Sequence, residues 1–307
     1  LRVLLLSTTT GYQLRSFGES AARLGIELVL ATDRCHQLDD PWRDGAVAVR
    51  FHDDEASLAA ILEVARARKL DGVLAVGDRP TVLAACVASA LRLPGNPVAA
   101  ADASRNKKLM RERFAAAGLA VPWFREITAD VDADLVSRSI RYPIVVKPLG
   151  VSGSRGVIRA DTPEQLVAAL TRVRALLARP SVRVLRTGLE DTLLVEGYIE
   201  GREYAIEGVL TKGTLRTLAI FDKPDPLEGP FFEETIYVTP SSAPPQTQAA
   251  IVDTVTRAIG ALGLSHGPVH AECRVGPEGV VMLEVAARPI GGLCSRVLRF
   301  MEGTRRV

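Results

Sequence analysis

Residues 269–289 read VHAECRVGPEGVVMLEVAARP. Two apolar runs flank Gly276, Pro277, Glu278 and Gly279. Pro277 and Glu278 suit a type I turn, and Gly279 suits the left-handed position after it, so the spacing predicts a three-residue hairpin loop with a bulge. Such a loop pairs Gly276 with Val280, and counting outward sets Glu272 opposite Glu284. Strand side chains alternate, so both carboxylates share a face with His270, Arg274, Ala286 and Arg288. Two like charges directly opposite are unfavourable in a sheet, and a divalent cation between them removes the conflict. A solvated face with two unrelated glutamates is the plain alternative.

Working outward, 307 residues are too many for one core, so two or three domains are expected. Hydrophobic residues make up 47% and charged residues 24%, the balance of an ordinary soluble globular protein. With 38 basic against 36 acidic side chains the formal charge is +2, which gives no footprint of a nucleic-acid or membrane partner. The apolar runs are too short to span a bilayer. Cys35, Cys86, Cys273 and Cys294 form no C-x-x-C pair, so neither a zinc site nor a disulfide framework is expected, and the default compartment is a reducing cytoplasm. A chain running from Leu1 to Val307 reads as trimmed upstream and as an arbitrary stop at its end.

Residues 1–103 alternate strand and helix patterns. Strands are expected at 2–6, 27–31, 46–50 and 72–76, with helices before Gly25, at 55–68 and at 80–91. This rhythm implies a Rossmann-like parallel sheet. No G-x-G-x-x-G follows the first strand, so a dinucleotide site there has no support, and Gly11 reads as a turn residue. Pro, Gly, Asn and Ala at 93–103 mark a boundary. Ser104 can cap a helix running to Ala117, and Lys107 and Lys108 in its first turn oppose the helix dipole unless an anion binds nearby. Strands follow at 144–147, 157–159, 192–195, 203–210 and 215–221. Thr162, Pro163 and Gln165 start a helix as cap, first residue and capping-box partner. A last helix over 247–262 stops at Gly263.

Four groups of residues can carry chemistry. The loop PLGVSGSRGV, with Gly150, Ser152, Gly153, Ser154 and Gly156 between two strands, can fold its N–H groups over phosphate oxygens. A flexible glycine hairpin is the equal alternative, because the G-K-[ST] ending of a P-loop is missing. Lys147 sits inside an apolar strand, where an unpaired ammonium is costly; a phosphate would stabilise it, or it snorkels to water. Around Glu196, Gly197, Tyr198 and Ile199 a strand gives way to a connection whose backbone can bond a purine edge, and Glu203 can accept from ribose hydroxyls. Outward-facing glutamates on an edge strand are the alternative there. Carboxylates with phosphate oxygens suit Mg²⁺, and Arg288 can hold a phosphoryl group or carboxylate bidentately. A lone His270 is more often structural. The Pro-rich stretch 221–240 suits a substrate loop in which Glu233 or Glu234 meets an amine, with a solvated acidic turn as the equal alternative.

The order of these motifs resembles the ATP-grasp superfamily of carboxylate–amine ligases over residues 102–298. The resemblance implies an N-terminal domain at 1–103 and an ATP-grasp domain at 104–307, with 120–195 as the smaller lid lobe and 196–307 as the metal and substrate lobe. The fold class implied is α/β, with α+β character in the catalytic part. Lys107 and Lys147 match the phosphate lysines, residues 150–157 the flexible loop, Glu196, Tyr198 and Ile199 the adenine hinge, and Glu203 the ribose acid. Glu272 and Glu284 match the magnesium acids and Arg288 the downstream arginine. His270, Arg274, Glu233, Glu234, Gly291 and Gly292 are the candidate substrate contacts. Where many members read E-x-N-x-R, this chain has Ala286, which cannot ligate metal. GPVHAE and EVAARPIGG look most like the L-amino-acid ligase branch, which makes dipeptides and tolerates that replacement. ATP with Mg²⁺, or Mn²⁺ in its place, is the implied nucleotide and metal. The implied partners are a small-molecule carboxylate and amine; the oligomeric state stays open, a homodimer being the commonest oligomer. The competing readings are a bicarbonate-using carboxylase acting on a purine precursor and a nucleotide-binding module without catalysis.

Overall fold

Three four-stranded sheets organise the chain in a computed structural model that describes residues 1–8, 13–33, 46–233, 235–292, 294, 298, 301–302 and 305–306. Gly11, Cys35 and Glu234 lie outside the described residues. The first sheet holds β1 (Arg2–Ser7), β2 (Glu27–Thr32), β3 (Val47–Ala48) and β4 (Gly72–Val76), all parallel, in the order β3-β2-β1-β4. Helices α1 (Leu14–Leu24) and α2 (Asp54–Ala67) lie between its strands, and α3 (Thr81–Ala90) follows β4. Leu4, Leu6, Val29, Ile61 and Leu83 close its core.

Within the stretch read as a boundary lies α4 (Val98–Ala103), leading into α5 (Lys107–Ala116). Asn106, not Ser104, caps α5. Its side chain accepts from the N–H groups of Lys108 and Leu109, while the Ser104 hydroxyl donates back to the Ala101 carbonyl. Asn106 keeps an extended backbone and frees its amide oxygen for two orphan N–H groups.

The second sheet is antiparallel, in the order β5-β8-β6-β7, from β5 (Phe124–Thr128), β6 (Ile144–Pro148), β7 (Ile158–Ala160) and β8 (Thr192–Gly197). Helices α6 (Ala133–Ser137), α7 (Pro163–Leu177) and α8 (Pro180–Arg183) accompany it, and α7 buries Leu166, Leu170 and Val173 against Ile144, Val146 and Leu193. Thr162 accepts from the Gln165 N–H as its pattern predicts.

The third sheet runs β10-β9-β11-β12, with β9 (Arg202–Thr211), β10 (Thr214–Asp222), β11 (Gly267–Gly276) and β12 (Gly279–Ala286), and α9 (Pro245–Leu262) lies behind it. Alternation decides its two faces. Val269, Ala271 and Cys273 of β11 pack with Met110, Phe114, Val255 and Ile259 of α5 and α9, while His270, Glu272 and Arg274 face a cavity. In β9 Tyr204 and Ile206 join the core, and Glu203 faces the cavity. The architecture is the α/β arrangement expected, a parallel sheet followed by two antiparallel ones.

The hairpin turn differs from its expectation. Gly276 pairs with Gly279, not Val280, and only Pro277 and Glu278 lie between them. The left-handed φ of Gly279, +86°, fits the tighter turn. That register alone would set Glu272 opposite Leu283. A β-bulge at Leu283 inserts one unpaired residue, and Glu272 does face Glu284.

Candidate functional site

The central cavity, about 420 Å³, lies between the second and third sheets. From the second come Lys147, the glycine loop and the hinge; from the third come Glu203, His270, Glu272, Arg274 and Glu284, and α5 adds Lys107. Ser152, Gly153, Ser154, Glu196, Tyr198, Ile199, Arg288, Gly291 and Gly292 also line it. Two predicted residues do not. Gly156 and Glu233 line an adjoining cavity of about 500 Å³ that it shares with Phe231 and Phe232. Gly156 is turned inward at φ +77°, where a Cβ would meet Leu176 Cδ2 at 2.8 Å and Pro148 Cγ at 3.1 Å, so a side chain there would strain the backbone and displace Leu176.

Lys147 is not left alone in its apolar strand. Its partner is Glu196, which Arg111 also grips, Nε donating to Oε2 at 2.8 Å and Nη2 to Oε1 at 3.2 Å. Arg111 and Glu196 are each 1% exposed. Burial opposes the Glu196 carboxylate, but Arg111 and Lys147 outweigh it and lower its pKa to about 2. Burial also pulls the Lys147 ammonium below its ordinary range, against Glu196, with Arg111 and Lys107 adding to the depression. Lys107 donates to the Val151 carbonyl at 3.1 Å, tying α5 to the glycine loop.

A pH consequence follows with a definite sign. The Glu196 pKa is depressed on folding, so its stabilisation is full above the ordinary value of 4.5 and is lost as pH falls through about 2. The depression corresponds to about 3 kcal/mol. Urea titrations at about pH 6 and about pH 3 should show a steeper loss in wild type than in Glu196→Gln; equal losses would contradict the assignment.

The end of the cavity around Glu272 is built differently. The Glu272 carboxylate accepts from Lys223 Nζ at 2.6 Å and from His270 Nε2 at 3.3 Å. Lys223 also reaches Glu203 at 2.7 Å, and His270 Nδ1 reaches Glu207 at 2.6 Å. Burial disfavours the charged imidazole, but hydrogen bonds to Glu207 and Glu272 outweigh it and raise its pKa to about 9. The same buried cations hold Glu272 well below the carboxylate range despite desolvation. Ligand atoms of His270, Glu272 and Glu284 lie within 4.8 Å of one another. Both ring nitrogens of His270 are already taken by Glu207 and Glu272, so the oxygens of Glu272 and Glu284 are the donors left, a set that fits a hard cation. Glu284 makes no hydrogen bond or ion pair among the described residues, which leaves both its oxygens for a ligand. Ala286 pairs across the hairpin with His270 and adds no donor.

Arg274 lines the cavity but is consumed within the protein, donating to Glu203 at 3.0 Å and to the carbonyls of Ile199 at 2.8 Å and Leu227 at 2.6 Å. Arg288 is bound by Asp78 from the loop after β4, Nε to Oδ1 at 2.8 Å. Beyond Glu284 and Arg288 opens a cavity of about 730 Å³, lined by all three sheets' loops, including Asp78, Arg79, Arg105, Leu185 and Ala286.

The sequence reading missed Arg111, Lys223 and Asp78. Arg111 had a signal, since it stands four residues after Lys107 and shares its helix face. Lys223 directly follows the apolar run of β10. Nothing local marks Asp78, which reaches Arg288 across 210 residues.

Sheets facing each other across such a cavity, with lysines and a glycine loop on one side and paired glutamates on the other, match a known class. The family model for the ATP-grasp domain matches residues 140–297, just over half of the chain, and that for the ATP-grasp N-terminal domain matches residues 18–95. The chain belongs to the ATP-grasp family. It is 30% identical over 256 residues to carnosine synthase 1 of Gallus gallus, covering 79% of this chain and 27% of that protein. It is 27% identical over 252 residues to the alanine–anticapsin ligase of Bacillus subtilis, covering 78% and 52%. The crystal structure of an L-amino acid ligase from Bacillus licheniformis superposes with a TM-score of 0.74 at 29% identity, covering 95% of this chain and 67% of that one. The chain thus spans between about a quarter and two thirds of the length of these relatives. No helix among the described residues is long and apolar enough to cross a membrane.

Proposed function

We propose that the chain is an ATP-dependent carboxylate–amine ligase with an amino acid among its substrates. The observation that carries this reading is the meeting of Glu272, Glu284 and Arg288 where a nucleotide-sized cavity opens into a second, larger one. The amide-forming relatives support the same class.

In this reading Lys107, Lys147 and the loop residues Ser152, Gly153 and Ser154 hold the phosphates. Tyr198 and Ile199 border the base and Glu203 the ribose. A divalent cation on Glu272 and Glu284 would neutralise phosphate charge. Lys223 and the imidazolium of His270 hold Glu272 ionised and oriented, and Arg274 fixes Glu203 from behind. A substrate carboxylate oxygen attacks the γ-phosphorus and ADP leaves. The amine then attacks the acyl carbon, the C–O bond to phosphate breaks, and the amine proton passes to solvent or base. Arg288 steadies the phosphoryl group through both steps, and catalysis rests on positioning and fixed charge. The glycine loop, hinged on inward-packed Gly156, excludes water from an acyl phosphate that would otherwise hydrolyse. Gly291, Gly292 and the second cavity border the reacting carboxylate.

The reading predicts ATP- and Mg²⁺-dependent phosphate release with pairs of amino acids and little with either alone. Release with bicarbonate and no amino acid would replace it with a carboxylase reading. Nucleotide binding with no release across the panel would leave a binding module.

A further inference from the structure

Asp78 stands at the carboxyl end of β4, the edge where open α/β sheets present ligand-binding groups. Its backbone carbonyl accepts from the Thr81 hydroxyl at 2.7 Å and the Thr81 N–H at 3.3 Å, so the start of α3 fixes the residue. Its carboxylate accepts from Arg288 Nε at 2.8 Å and Nη2 at 3.4 Å, and Ser152 of the glycine loop lines the same cavity as Asp78 and Arg288. Arg288 Nη1 donates to the Pro289 carbonyl at 3.2 Å. A guanidinium has five N–H donors, so these contacts orient the fork and leave two donors to spare. Arg288 itself borders both cavities. One carboxylate of the N-terminal sheet therefore holds the arginine at the junction, in a cavity that the glycine loop also lines.

We infer that Asp78 is a positioning residue. It sets the Arg288 guanidinium at the junction of the two cavities, beside the glycine loop. The N-terminal sheet thereby takes part in phosphoryl transfer without touching the nucleotide. What Arg288 holds rests on the ligase reading; that Asp78 places Arg288 does not.

The test has two parts. Asp78→Asn keeps the shape and removes the charge, and Asp78→Glu keeps the charge. The Arg288 Nε–H resonance, assigned by its loss in Arg288→Lys, should be protected in wild type and in Asp78→Glu and shifted or broadened in Asp78→Asn. A wild-type resonance that is absent, or that is unchanged in Asp78→Asn, overturns the inference whether or not the protein turns over. Amino-acid-dependent phosphate release should fall about hundredfold in kcat in Asp78→Asn with KM for ATP within about twofold, and recover in Asp78→Glu. The double variant with Arg288→Ala should be no slower than Arg288→Ala alone, since one residue acts through the other. Additive losses overturn the inference. Absence of wild-type release would instead sink the ligase reading and leave the resonance to decide.

Discussion

Replacing Glu284 by alanine should abolish amine-dependent ADP release, by on the order of a thousandfold in kcat, and leave the melting temperature close to wild type. The two halves of this expectation have separate causes. Activity is lost because Glu284 supplies one of the two cavity carboxylates that the ligase reading assigns to the cation. Stability is kept because Glu284 has no hydrogen bond or ion pair to lose among the described residues. Its neighbour behaves differently. Glu272→Ala would strip a partner from Lys223, which is 1% exposed, and from His270, so it should lower stability as well as activity. Kinetics and thermal melts on both variants check this. Turnover surviving in Glu284→Ala would remove it from the metal site, and equal melting losses would show that the pair is not divided as described.

Arg111→Ala should destabilise the fold by about 3–5 kcal/mol, the usual cost of leaving a buried charge with a broken pair. Arg111 is the bidentate partner of Glu196, and its Nη1 donates to the Leu283 carbonyl at 2.9 Å, so the substitution also frees the bulge beside Glu284. Replacing both charges, Arg111→Met with Glu196→Leu, should cost less than Arg111→Ala alone, because no unpaired ion remains. Chemical denaturation of the single and double variants measures this. A loss under about 1 kcal/mol in Arg111→Ala would mean that the cluster does not hold the lobes together.

Local patterns carried the elements well where period and punctuation agreed. The Thr162 cap, the Gly263 stop and the alternating faces of β11 all stand in the structure as the sequence implies. The Glu272 and Glu284 pairing was reached through the wrong turn, because a bulge at Leu283 compensates for a tighter loop and no composition signal marks it. Helix α4 and strand β5 were invisible for a different reason. Their short runs lack period or caps of their own and are held by contacts with distant chain. The cavity lining was legible in large part because its residues stand on strands, where alternation assigns a face. Its electrostatics were not, since Arg111 meets Glu196, Lys223 meets Glu272 and Asp78 meets Arg288 across 85, 49 and 210 residues. Separations of that size are set by sheet order, which no local window contains.

The central claim, transfer of the γ-phosphoryl group to a substrate carboxylate, is tested most directly by following oxygen. Amino acids labelled with ¹⁸O in the carboxyl group are incubated with ATP, Mg²⁺ and the protein, and the released phosphate is analysed by mass. An acyl-phosphate route predicts one ¹⁸O atom in each phosphate, because the oxygen that attacks phosphorus leaves with it when the amine displaces it. Released phosphate without label would show water as the acceptor and contradict the account.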